Sequence, residues 1–157
     1  MKSEFVHLHN HSDYSLLDGA QRVDQLINTI GDLNMDSVAL TEHGNMFSVL
    51  PYYNEAKKAG IKPIIGCEMY ISVGSRFDKK VLTTGGWGNN HLILLAKNLA
   101  GYKNLMKLVT HGYLEGFYYR PRIDMELIEK YSEGLICLSG CLKGEIPERT
   151  VSYTHLR

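Results

Sequence analysis

Apolar residues recur along this chain with two periods, and the two alternate. Val23, Leu26, Ile27, Ile30 and Leu33 stand three and four apart, which predicts a helix over Arg22 to Leu33 with one apolar face. Met46, Val49, Leu50, Tyr53 and Ala56 predict a second over Met46 to Ala59, with Pro51 in its first turn and Gly60 as its stop. Leu99, Tyr102, Leu105, Met106 and Val109 predict a third over Leu99 to His111. Asp124 is placed as the N-cap of a fourth, which ends near Tyr131 and is stopped by Gly134. Between these lie short apolar runs of strand length: Phe5 to His9, Ser37 to Thr41, Ile61 to Ser72, His91 to Ala96 and Leu135 to Ser139. Residues 74–90 read as an excursion, basic at Arg76, Lys79 and Lys80 and glycine-rich from Gly85 onward. Strands alternating with amphipathic helices predict βα units on a parallel sheet. Five strands are too few to close an eight-stranded barrel. The alternative is a doubly wound open sheet, which lacks a glycine-rich dinucleotide fingerprint after the first strand.

Composition narrows the classes. The 157 residues fit one ordinary domain or part of a larger protein, and 44% hydrophobic with 22% charged residues is the balance of a globular chain. Lys plus Arg equals Asp plus Glu at 17 each, so a basic nucleic-acid surface is not a property of the whole chain. No apolar run reaches the ~20 residues of a membrane span, and Met1 to Glu4 show no charged-then-apolar signal pattern. Three cysteines, Cys67, Cys137 and Cys141, have no framework spacing, which suits free or metal-bound thiols in a reducing cytoplasm. Cys67 and Cys137 are expected in the core.

The chemistry collects where the strands end. His7, His9 and His11 alternate in the first strand and so share a face, and Asp18 follows in a turn that brings a carboxylate back over the same end. Glu42 and His43 follow the second strand, Glu68 lies in the third, His91 begins the fourth and Cys141 follows the fifth. Loops after parallel strands share one face, where βα barrels assemble their sites. His91 meets the others there if its strand runs antiparallel or the loop before it covers the same mouth. A set of imidazoles, carboxylates and a thiolate suits zinc, manganese or iron. The candidates outnumber the ligands of one tetrahedral ion, which points to two or three ions a few Å apart and to metal-dependent phosphoester hydrolysis. Arg120 and Arg122 flank Pro121 as candidate phosphate contacts, or as a solvated turn. His111 and His155 have no supporting context.

His7-Leu-His-Asn-His-Ser-Asp-Tyr-Ser-Leu-Leu-Asp-Gly-Ala20 resembles the opening motif of the PHP (polymerase and histidinol phosphatase) domain, in the form carried by bacterial replicative DNA polymerases of the C family. Thr41 to Phe47, Gly60 to Glu68, Asn90 to Ala96, Gly116 to Asp124 and Leu138 to Cys141 resemble its later segments in order. The resemblance implies an α/β fold, an incomplete distorted (β/α)7 TIM-like barrel over residues 1–147. Residues 148–157 form a tail that does not match the family's helix. It further implies a trinuclear site with His9, His11, Asp18, His43, Glu68, His91 and Cys141 as metal ligands. The family's later Asp-x-His pair has no counterpart in this sequence. Expected cofactors are divalent zinc or manganese ions. Expected partners are DNA, a sliding clamp, a clamp loader and a proofreading exonuclease subunit, in the cytoplasm and away from membranes. The implied function is the N-terminal segment of a DNA-directed DNA polymerase with 3′→5′ exonuclease activity, the polymerase site lying outside this chain. Two alternatives stand beside it: a phosphatase of small phosphomonoesters such as histidinol phosphate, and a non-catalytic scaffold that docks a proofreading subunit.

Overall fold

The computed structural model describes residues 4–79 and 89–140, together with residues 144, 146, 147 and 150. In chain order the elements are α1 (Val23–Asp32), β1 (Ser37–Leu40), α2 (Val49–Lys58), β2 (Lys62–Ser72), β3 (Asn89–Ala96), α3 (Leu99–Leu114), β4 (Arg122–Ile123), α4 (Met125–Tyr131) and β5 (Leu135–Leu138). They form a mixed α/β fold around one sheet of order β1-β2-β3-β5, with β4 paired to β2.

The expected parallel sheet is found only in part. β1 and β4 run parallel to β2, whereas β3 runs antiparallel to β2 and β5 antiparallel to β3. The reason lies in the connections. A parallel pair needs a crossover, and β1 returns to β2 through α2. Between β2 and β3 no helix is found among the described residues, and the chain returns on itself. The first expected strand is not a strand either. Residues 5–11 lie extended beside β1 and meet it through single bonds, Ala39 N to His7 O at 2.8 Å and Thr41 N to Asn10 O at 2.9 Å.

Alternation along β2 separates core from site. Cys67, Met69 and Ile71 turn to one face and pack with Leu94, Leu105, Leu108, Ile123 and Leu127 under α3 and α4. Gly66, Glu68 and Tyr70 turn to the other face, opposite Leu95, Ile93 and His91 of β3. A second core joins α1, α2 and β1 through Leu26, Ile27, Ile30, Val38, Tyr52 and Ala56. Cys67 is buried as expected, but Cys137 is exposed, because β5 pairs with β3 alone among the described strands.

Candidate metal centre

Two local structures deliver the histidines. The first is the extended opening segment. Asn10 fixes it with its side chain on Ala39 O at 3.1 Å and its carbonyl accepting from Thr41 Oγ1 at 3.0 Å. His9 and His11, on either side of Asn10, then face β2. The second is the turn after β1. His43 continues the edge of β1 and bridges to Glu68 of β2. The chain then leaves at Gly44, whose φ of +61° is costly for any residue with a Cβ, and a Cβ here would lie 2.7 Å from Pro121 Cγ.

Glu42 holds these two structures together. Its buried carboxylate accepts from the hydroxyls of Ser12, Ser15 and Ser48 and from Ser12 N at 3.2 Å. Ser15 Oγ in turn accepts from His43 N at 3.1 Å. Four donors on one carboxylate satisfy a buried charge that would be costly alone. Glu42 is therefore a brace of the opening loop, which a reading of residue types alone does not separate from a ligand.

Glu68 stands at the centre, 2% exposed at its side chain. Its Oε2 lies 2.6 Å from His9 Nε2 and 3.0 Å from His11 Nε2. Its Oε1 contacts His91 Nδ1 and lies 3.6 Å from His43 Nδ1. His91 reaches this point because β3 is antiparallel, which brings the strand's beginning to the end of β2. His11 and His43 stack with ring centroids 3.9 Å apart. Asp18 Oδ2 meets His43 Nε2 at 2.8 Å. Burial pushes the Glu68 carboxyl up, but the bonds from His11, His9 and His91 and the charge of His43 outweigh it and hold it well below the usual carboxylate range. Burial lowers the His11 imidazole, and its bond to Glu68 and the surrounding carboxylates reverse this, leaving it raised.

Hydrogen bonding alone accounts poorly for this packing. His9 Nε2 and His11 Nε2 lie 3.0 Å apart while both face the same carboxylate oxygen. If both donate to Glu68, their N–H groups crowd one another. Two nitrogens bonded tetrahedrally to one zinc at about 2.0–2.1 Å take a separation of about 3.3–3.4 Å, a little wider than this pair. His43 Nδ1 is buried and has no hydrogen-bond partner, an unmet acceptor or donor turned towards Glu68. The donor atoms of His9, His11 and Glu68 all lie within 4.8 Å of one another. The residues present fit a divalent cation.

Of the positions singled out in the sequence, His9, His11, Asp18, His43, Glu68 and His91 converge here, and Cys141 lies outside the described residues, as does His155. His7 does not join them; its ring packs edge-on against Phe5 at 4.7 Å. The two arginines part company. Arg120 Nη1 donates to Tyr70 OH at 3.2 Å and lies 5.3 Å over the Tyr70 ring. Arg122 is buried, and its guanidinium donates to the carbonyls of Gly116, Arg76 and Asp78 at 3.0, 3.1 and 2.7 Å. Three of the five N–H donors of Arg122 are thus taken by backbone carbonyls, which ties it to the fold as well as leaving it a candidate phosphate contact. Tyr70, absent from the expected site, stands edge-on to His91 at 5.1 Å and beside His43 at 6.2 Å. Its place two residues from Glu68 in a strand is the signal that would have found it. A cleft of about 550 Å³ opens beside His43, lined by Tyr14, Ser15, Asn45, Phe47, Tyr113 and Arg120 among others.

The PHP domain family matches residues 7–155 of this chain. The DNA polymerase III subunit alpha of Borreliella burgdorferi is 59% identical over 146 residues, which cover 93% of this chain and 13% of that protein. The subunits of Aquifex aeolicus and Thermus aquaticus are 52% and 46% identical over 92% and 94% of this chain, and 13% and 12% of their own lengths. The chain thus spans about an eighth of the length of these relatives. Among solved structures, an amidohydrolase from Chromobacterium violaceum aligns with a TM-score of 0.47 at 21% identity, over 67% of this chain and 32% of that one. A putative metal-dependent phosphoesterase from Bifidobacterium adolescentis aligns with a TM-score of 0.44 at 15% identity, over 68% and 32%.

Proposed function

The chain belongs to the PHP domain family, and from that premise we propose that it is the divalent-metal-dependent phosphoesterase segment of a replicative DNA polymerase, removing nucleotides from the 3′ end of DNA. The observation that carries this reading is the Glu68 carboxylate with His9, His11, His43 and His91 gathered on its two oxygens. His9, His11 and Glu68 would hold one ion, with His43, Asp18, His91 and Cys141 available to others, so that the bound group is zinc or manganese in a multinuclear cluster. Such ions supply a water ionised near neutral pH and a clamp on the phosphoryl oxygens. The chain's own residues orient and charge the site. Asp18 takes the Nε2 proton of His43 in a hydrogen bond and so leaves Nδ1 as the free donor atom. Arg120, beside Tyr70 at the cleft, offers a guanidinium to the phosphate.

The same premise extends to architecture and setting. The mixed sheet is read as part of a distorted (β/α)7 TIM-like barrel. DNA and the other replisome subunits are its partners in the cytoplasm, and nucleotide addition belongs to parts of the polymerase outside the 12–13% matched here. No helix among the described residues is long and apolar enough to cross a membrane.

The test combines metal analysis with hydrolysis. Purified chain is expected to retain at least one zinc or manganese ion and to release mononucleotides from the 3′ end of single-stranded DNA. His9→Ala with His11→Ala should abolish both. A metal content below one ion per chain sinks the ligand assignment. Turnover of p-nitrophenyl phosphate without any action on DNA moves the function to small phosphomonoesters.

A further inference from the structure

We propose that the cleft beside His43 is a stacking site for the unpaired 3′-terminal base of single-stranded DNA, with Phe47 and Tyr113 together as its aromatic wall; this rests on the phosphoesterase reading above. The cleft's volume of about 550 Å³ lies within the range of small-ligand sites. Its two rings are tilted 47° to one another, and Tyr113 also meets Phe117 at 6.2 Å, so they form one continuous aromatic face. Phe47 is 64% exposed and Tyr113 38% exposed, with ring centroids 6.2 Å apart. Exposed rings beside a polar cluster suit a ligand with a flat apolar face.

The wall is tied rigidly to the metal centre. Asn45 donates from Nδ2 to His43 O at 3.0 Å and accepts from Phe47 N at 3.1 Å, so the turn that delivers His43 also aims Phe47. The charge is distributed to match a nucleotide. Arg120 lies over Tyr70, which is itself beside His43, so the cationic end of the cleft is the end nearest the metal ligands. A phosphate placed there leaves its base on the aromatic side. Asp13 also lines the cleft, where its carboxylate disfavours a second phosphate and can accept from an exocyclic amino group. The terminal base of a paired duplex is stacked on its neighbour and cannot turn its face to these rings without unpairing, so the site selects frayed or mismatched ends.

The experiment uses the whole chain with a ten-nucleotide single-stranded DNA carrying 2-aminopurine at its 3′ terminus, in EDTA so that nothing is hydrolysed. Stacking is read as quenching of the base's fluorescence, with binding read by anisotropy. The wild type is expected to quench the 3′-terminal base and to leave a 5′-terminal 2-aminopurine bright. Phe47→Ala and Tyr113→Ala should each weaken binding by roughly fivefold or more, and Phe47→Trp should restore it. Phe47 is exposed, and a thermal melt confirms that its variants fold. Equal quenching at both ends, unchanged binding by Phe47→Ala, or no binding by the wild type overturns the proposal. So does concentration-dependent self-association through Phe47 with DNA binding unmoved, which would make the rings a protein contact. Manganese-dependent hydrolysis is measured separately on the same proteins. Hydrolysis indifferent to Phe47 leaves the phosphoesterase reading standing and removes the stacking site; Phe47-dependent quenching without hydrolysis does the reverse.

Discussion

At the scale of single residues, the site rests on two carboxylates of similar burial and opposite roles. Glu68 is surrounded by ring nitrogens that also suit a cation, whereas Glu42 is surrounded by hydroxyls and a backbone N–H that suit only an anion. Glu42→Gln keeps the shape but removes the charge. Because hydrogen bonds to a charged group contribute about 1.5–3 kcal/mol each and the amide keeps part of them, a net loss of about 2 kcal/mol is expected in urea denaturation. Metal binding should weaken with it, since Ser12 and Ser15 position the segment that carries His11 and contacts His43. Gly44→Ala should cost about 1–2 kcal/mol through its positive φ alone, and more as Pro121 and Tyr70 are pushed aside. The histidines and Glu68 were legible in the sequence because ligand chemistry restricts residue type and because strands alternate. Glu42 was not: the sequence places it beside His43, and only the serines folded around it reveal its use. The structural part of Arg122 is hidden for the same reason, as a charge is visible in sequence and the carbonyls it binds are not.

At the scale of elements, the helices fall where periodicity places them, but two turn a different face inward. α2 buries Tyr52 with Ala56 and leaves Leu50 and Tyr53 exposed. Two adjacent tyrosines fit the period equally well. The choice is made by a partner: the Tyr52 hydroxyl donates to Val38 O and accepts from Ile64 N at 3.3 Å, spanning β1 and β2. Tyr52→Phe should therefore cost about 1–2 kcal/mol in the same denaturation assay. α3 packs through Gly101, Leu105, Leu108 and Gly112 instead of the expected stripe through Leu99 and Met106, both of which are exposed. A Cβ on Gly101 would lie 1.8 Å from Gly134 O, so the contact face is set by the lack of a side chain, which a hydrophobic count overlooks. The segment between β2 and the start of α4 is fastened by Arg76, which donates to Asp124 at 3.0 Å and Glu115 at 2.6 Å from a buried position. Burial raises the Asp124 carboxyl, and the bonds from Arg76 and Leu127 outweigh it, leaving it below its usual value; Glu115 is lowered by Arg76 and His111. A depressed folded pKa contributes stability above the ordinary carboxylate range that is lost as pH falls through the folded value. Thermal stability should accordingly decline below about pH 4. Arg76→Met should flatten that part of the profile and cost about 3 kcal/mol at neutral pH, because Asp124 stays buried without its cation.

At the scale of the molecule, the candidate metal centre is also a joint. The opening segment meets β1 through scattered backbone bonds, the bonds between Asn10 and Ala39 and Thr41, and the Glu42 brace. β3 meets β2 in an antiparallel ladder that sets His91 opposite Tyr70. His9 and His11 come from the first, His43 from the end of β1, Glu68 from β2 and His91 from β3, so the proposed ions would together cross-link four separate stretches of chain. The sequence places these residues at one end of the sheet and leaves an antiparallel course open for the strand of His91; it does not decide that course, since the direction of β3 depends on a connection whose geometry the periodicity does not encode. A ligand that binds the folded chain alone stabilises it by mass action, by about 2.7 kcal/mol when the free ion stands at 100 times its dissociation constant. For a chain of this length that corresponds to a rise in melting temperature of about 5–10 °C. Titration of metal-free protein with manganese or zinc, followed by circular dichroism, should show this rise, and EDTA should reverse it. The double variant His9→Ala, His11→Ala should show little or none, while Arg120→Gln, which lies at the cleft and not on Glu68, should retain it. An equal rise in the double variant would place the stabilising ion elsewhere and leave the crowding around Glu68 to be explained by His11, whose imidazole the nearby carboxylates hold above its usual value, in which case lowering the pH should stabilise the metal-free chain.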